Sequence, residues 1–154
     1  MIRSFLARRD ARMATLGFVA ALLAAGTSLL QFLLGMTFTY DAAHGGSATT
    51  VRDLFVALND ADTVKIVFLA ATILAVSIGA RRSGALPRWF ALYGFATAPL
   101  LALSGLAFPF DSDVLLALLE LTLLLLLVWV AIFVTQVARR LPAEEVAEGA
   151  PVTA

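Results

Sequence analysis

Long apolar stretches separated by short polar turns organise this 154-residue chain. The first uncharged run extends from Met13 to Tyr40, 28 residues. A second, Ile66 to Ala80, holds 15 and reaches a membrane-crossing length when Thr63, Val64 and Lys65 are added, the Lys65 ammonium then snorkelling outward. Trp89 to Phe110 supplies 22 more, and Val114 to Ala138 supplies 25 with Glu120 as their one charged interruption. A helix of about 20 apolar residues crosses roughly 30 Å of hydrocarbon. The pattern therefore predicts four transmembrane helices over about 13–38, 63–80, 89–110 and 114–138. Short connections make consecutive spans antiparallel neighbours. The expected fold is an all-α membrane protein, a four-transmembrane-helix antiparallel bundle within a membrane domain at 13–140.

The segments around the spans are polar in different ways. Residues 1–12 hold Ile2, Phe5 and Leu6 among arginines, the pattern of a cytoplasmic interfacial segment or of a plain positive flank. The apolar run that follows is longer than a signal-peptide core, and no small-residue cleavage pattern closes it. Between the first two spans, Asp41 to Thr49 includes His44-Gly45-Gly46-Ser47, a flexible turn. Thr50-x-x-Asp53 then fits a capping box, and Val51, Leu54, Phe55 and Leu58 recur at helical spacing, predicting a short amphipathic outer-loop helix. It lies in the headgroup region or caps the mouth of the bundle. Residues 141–154, LPAEEVAEGAPVTA, hold too few apolar positions to bury a face and read as a disordered cytoplasmic tail.

Composition agrees with a bilayer setting: 61% hydrophobic and 14% charged, with mean hydropathy +0.94, against about half apolar and a quarter charged in soluble domains. Eleven basic and eleven acidic residues cancel, leaving no net field to attract nucleic acid. Their distribution is asymmetric. Arg3, Arg8, Arg9, Arg12, Arg81, Arg82, Arg88, Arg139 and Arg140 fall on one side of the predicted topology. The other side holds Arg52, Lys65 and the aspartates 41, 53, 60, 62, 111 and 113. Basic flanks mark the cytoplasmic side, so both termini are expected in the cytoplasm. Ten arginines against one lysine, in an Ala-, Leu- and Gly-rich chain, fit a high-GC bacterial genome and hence a multi-pass protein of the bacterial inner membrane.

Candidate chemistry is sparse. With no cysteine and one histidine, His44, thiolate metal sites, thiol nucleophiles and bis-histidine haem ligation are excluded. No HExxH, GxSxG, Walker or GxGxxG motif occurs, and neither a catalytic residue, a metal site nor a cofactor is expected. His44 reads as a solvated loop residue, and Asp111 and Asp113 as part of an acidic outer surface. Glu120 stands apart: it lies six residues inside the fourth apolar run, roughly 9 Å from its end, where a carboxylate is expensive and is a functional candidate by default. Gln31, Lys65 and Ser104 fall at similar depth. Together the four form a candidate intramembrane polar cluster, serving chemistry or acting as interhelical hydrogen bonds. In a ring of helices in sequence order, Gln31 is the easier partner for Glu120, Lys65 lying across the diagonal. Thr27, Ser28 and Thr122 are secondary polar positions.

Small residues at Gly17, Ala20, Ala24, Gly94, Ala98 and Gly105 allow close helix contact, Pro99 is expected to kink the third span, and Trp89, Tyr93 and Tyr40 suit the interfacial aromatic belt. Gly84-Ala85-Leu86-Pro87-Arg88-Trp89 joins the second and third spans, with Asn59-Asp60-Ala61 ahead of the second. In these features the chain resembles a group of uncharacterised bacterial multi-pass membrane proteins whose inner loop reads small residue-Leu-Pro-Arg-Trp. The similarity covers about Ala57 to Arg140. It implies a multi-pass membrane protein; members commonly have six spans, from which four departs, and the group carries no activity over.

The expected role is that of a non-enzymatic accessory or self-associating membrane subunit, its partners being membrane lipids and a second copy or another membrane protein. The alternative is a small transporter or proton-coupled carrier using Glu120. A third reading, a lipid-modifying enzyme built on the outer acidic loops, lacks a nucleophile and a metal cluster.

Overall fold

The computed structural model describes residues 10–106, 110 and 112–148, the last nine of them by backbone alone. Four long helices follow one another: α1 (Ala11–Ala43), α2 (Ala48–Ser83), α3 (Arg88–Ser104) and α4 (Asp113–Glu148). No strand occurs among the described residues. Most of the 1–12 segment, and residues 149–154 of the expected tail, lie outside them.

Local chemistry sets the helix ends. Asp10 caps α1 by accepting from the Met13 amide at 3.3 Å, satisfying one of the four free N–H groups of a first turn. At the other end Gly45 takes φ 76°, and the Gly46 amide donates to the Asp41 carbonyl at 2.7 Å, closing the last turn through a left-handed residue. Ser47 caps α2, accepting from the Thr50 amide at 3.1 Å. Gly84 at φ 62° terminates it, and Pro87 stands at the N-cap of α3, compatible with a position whose own N–H has no helical partner.

Three sequence expectations change. The amphipathic segment is not a separate helix. It is the first third of α2, capped by Ser47 and not by Thr50, because the polar stretch Asn59 to Thr63 contains no glycine or proline to break it. The third helix stops at Ser104, 17 residues, instead of continuing to Phe110. The expected disordered tail is helical as far as Glu148, since Ala143, Glu144, Glu145 and Ala147 are strong helix formers. Three helices, α1, α2 and the Asp113–Arg139 part of α4, are long and apolar enough to cross a membrane. At about 25 Å, α3 is the short member.

Packing runs in sequence order: α1 on α2, α2 on α3, α3 on α4. Cross-helix contacts fix the antiparallel sense. Asp10 meets Arg82 at one end of the α1–α2 pair, and Phe38 meets Phe55 toward the other. The core gathers Ile66, Ile73 and Val76 of α2, Phe90 and Leu101 of α3, and Trp129, Phe133 and Val137 of α4. Ring centroids of Phe90 and Trp129 lie 5.3 Å apart, and those of Trp129 and Phe133 lie 5.5 Å apart, within the range of favourable aromatic contact. Ala85 and Leu86 are buried against this core, so the α2–α3 turn is folded inward. The C-terminal end of α3 and the middle of α2 meet where Thr63 Oγ1 donates to the Gly105 carbonyl at 3.2 Å. From that level α2 continues for 15 residues toward Ala48, roughly 22 Å, paired with the last turns of α1.

Candidate functional site

The four polar residues expected at one depth separate into three environments. Lys65 on α2 reaches across to α1, its Nζ donating to Gln31 Oε1 at 2.7 Å. It also forms an ion pair with Asp62, one helical turn away on α2. Both charged side chains are about three-quarters buried. Gln31 therefore serves Lys65 and not Glu120, because α1 and α2 are packed along their length whereas α1 and α4 are not extensively packed. Asp62 was legible only as part of an acidic loop. Its i, i+3 spacing to Lys65 becomes meaningful once α2 is known to be continuous.

Ser104 pairs with Thr122, the hydroxyl oxygens 3.0 Å apart between α3 and α4. Each also lies within hydrogen-bond reach of a carbonyl on its own helix, Leu101 at 2.8 Å and Leu119 at 3.0 Å. Both residues are fully buried, so the pair is satisfied without water. Tyr93 adds a second α3–α4 tie, its hydroxyl donating to the Leu125 carbonyl at 2.9 Å, a role beyond that of an interfacial anchor.

Glu120 meets none of these groups. Thr122 and Trp129 point α4 toward the core, and at 100° per residue Glu120 falls on the far side of the helix. Its side chain is exposed and makes no hydrogen bond or ion pair among the described residues. Leu116, Leu121, Leu123, Leu124 and Leu127 around it are exposed as well. The result is a lone carboxyl in a broad apolar surface.

A further polar site was only partly legible. Gly94 of α3 packs so closely on its neighbours that an added Cβ would stand 1.9 Å from Ser77 Oγ of α2 and 3.0 Å from Trp129 Nε1 of α4. These two atoms are buried without hydrogen-bond partners. The missing side chain thus brings three helices together at one point. The sequence signal, a glycine in a small-residue stripe, gave the close approach but not what approaches.

His44 stacks on Tyr40 with centroids 4.2 Å apart, and its Nδ1 lies 2.9 Å from the Tyr40 carbonyl. No group of three or more His, Cys, Asp or Glu side chains fit to hold a metal occurs among the described residues; Asp111 lies outside them. Comparison with protein-family models, with curated proteins and with solved structures gives no match.

Proposed function

We propose that this chain is a self-associating subunit of the bacterial inner membrane, without enzymatic activity, that crosses the bilayer four times with both termini in the cytoplasm. The apolar lengths of α1, α2 and α4 support membrane embedding, and α3, packed between α2 and α4, crosses with them. The clustering of Arg81, Arg82, Arg88 and Arg139 at one end of the helices supports the orientation.

The observation that carries the functional reading is the outward position of Glu120. A charged side chain facing lipid costs up to about 2.5–3.5 kcal/mol at the centre of a span on insertion scales, less toward its ends, and lipid offers Glu120 no partner. A second copy in the same orientation brings an identical carboxyl to the same depth, where one group donates and the other accepts. Ala117, Glu120, Leu124, Leu127, Ala131 and Val134 are all exposed and alternate at spacings of three and four, the seam of a paired helix. One polar residue in such a seam fixes register. The small residues bring the backbones close. A proton-coupled carrier needs Glu120 between helices, and its outward position favours association instead.

The cysteine-free chain makes the test direct. Leu124→Cys and Leu127→Cys, oxidised in native membranes, should each give a disulfide-linked dimer, whereas Phe32→Cys on the exposed face of α1 should not. Glu120→Leu should weaken association about tenfold, the equivalent of 1–2 kcal/mol, and Glu120→Gln should largely preserve it. Absence of dimer from both α4 positions, or dimer from α1 alone, overturns this assignment.

A further inference from the structure

We propose that the α2–α3 turn holds a phosphate-binding site whose ligand is the headgroup of an anionic phospholipid. The proposal rests on the membrane placement above but not on self-association.

Arg81 from the last turn of α2 and Arg88, the first residue of α3, line one cavity of about 420 Å³ together with Leu92. Their neighbour Arg82 faces a carboxylate, Asp10 at 3.7 Å. Arg81 and Arg88 have no carboxylate within ion-pair distance among the described residues. Two arginines therefore line one space with no counter-charge among the described residues, an arrangement that an anion relieves. Arg81 is held in place by a ring: its Cζ lies 5.9 Å from the Phe95 centroid, a cation–π distance. The first turn of α3 has no side-chain cap, which adds the positive end of a helix dipole beside Arg88.

The turn carrying these groups is anchored to the core. Ala85 and Leu86 are buried, and the Ala85 amide donates to Ser83 Oγ at 3.2 Å. Two planar guanidinium forks carried on one anchored turn suit phosphate oxygens, which can accept two parallel N–H bonds from each. The surroundings then select a lipid over a free ion. Leu92, which lines the cavity, is 61% exposed and offers an apolar start for an acyl chain in the direction of the helices, while Trp89, next to Arg88 in sequence, is 50% exposed against α4. Tryptophan at such a position sits at headgroup level, and basic cavities between helices on the cytoplasmic side hold anionic headgroups.

The experiment is native mass spectrometry of the full-length protein, extracted from its membrane and titrated with phosphatidylglycerol or phosphatidylcholine. The expected result is at least a tenfold preference for phosphatidylglycerol. Arg81→Gln/Arg88→Gln should lose at least tenfold of that affinity, and Arg12→Gln/Arg139→Gln, equal in charge but outside the cavity, less than twofold. Arg81→Lys/Arg88→Lys should fall between, keeping charge and losing the forks. Unchanged helical content by circular dichroism verifies folding of each variant. Inorganic phosphate in large excess should not displace the lipid; displacement at comparable affinity identifies free phosphate as the ligand and overturns the lipid assignment. Equal losses in both glutamine pairs, or equal binding of the two lipids, overturn the site itself. A protein that extracts from membranes but shows no headgroup preference leaves the membrane placement standing, while one that never enters the membrane fraction ends both.

Discussion

At the scale of single residues, Gly94 carries the sharpest constraint. A methyl group there meets Ser77 Oγ at 1.9 Å, Ser77 Cβ at 3.1 Å and Trp129 Nε1 at 3.0 Å, so rotation of the serine hydroxyl relieves one of the three clashes. Gly94→Ala should cost about 1–3 kcal/mol, the range for overpacking a filled core, read as a lower unfolding midpoint in detergent. Ser77→Ala should be close to neutral, because the hydroxyl it removes is buried and unpartnered. Combining the two should recover part of the Gly94→Ala loss but not all, since the Cβ of residue 77 stays. Nothing in the sequence distinguishes Gly94 from Gly17 or Gly105 as a small residue in an apolar run. What distinguishes it is the identity of the atoms that two other helices place against it, which only the packing supplies.

At the scale of helices, the apolar runs made the four elements legible, and the glycines at 45 and 84 marked two of their ends. The runs did not show that α2 is one helix of 36 residues. Hydropathy falls through Asn59, Asp60 and Asp62, and a fall in hydropathy resembles a loop even where backbone propensity permits a helix to continue. The same continuity makes Asp62 a partner of Lys65 and directs Lys65 toward Gln31 on α1. Gln31→Leu should therefore loosen the α1–α2 pair by roughly 1 kcal/mol, the scale of an interhelical hydrogen bond in a membrane. Leu30→Ala, one residue along on an exposed position, should leave the unfolding free energy within about 0.5 kcal/mol of the parent. The candidate cluster was legible as polar groups at similar depth. Its division into separate pairs was not, because depth follows from counting residues along each helix whereas facing depends on the rotation of each helix about its axis.

At the scale of the whole molecule, the open order of packing leaves α1 and α4 as the two outer helices, and their surfaces differ. The exposed face of α1 is apolar through Leu22, Leu29, Phe32, Leu33 and Met36, suited to lipid. That of α4 carries Glu120, on which the proposed self-association rests. The proposed orientation gives an independent check. Thr49→Cys, in the first turn of α2, should react with a membrane-impermeant maleimide in intact spheroplasts, and Arg139→Cys only after the membrane is opened. The reverse pattern would invert the molecule and place the Arg81–Arg88 cavity outside.

The continuity of α2 also has a mechanical meaning. A proline-free helix of 36 residues is a rod of about 54 Å, with the Ser47 turn at one tip and Arg81 at the other. A tilt of about 5° around its centre moves each tip by roughly 2 Å in opposite directions. Whatever presses on the far turn would then be felt at the arginines as displacement, about 54 Å away at the other end of the rod.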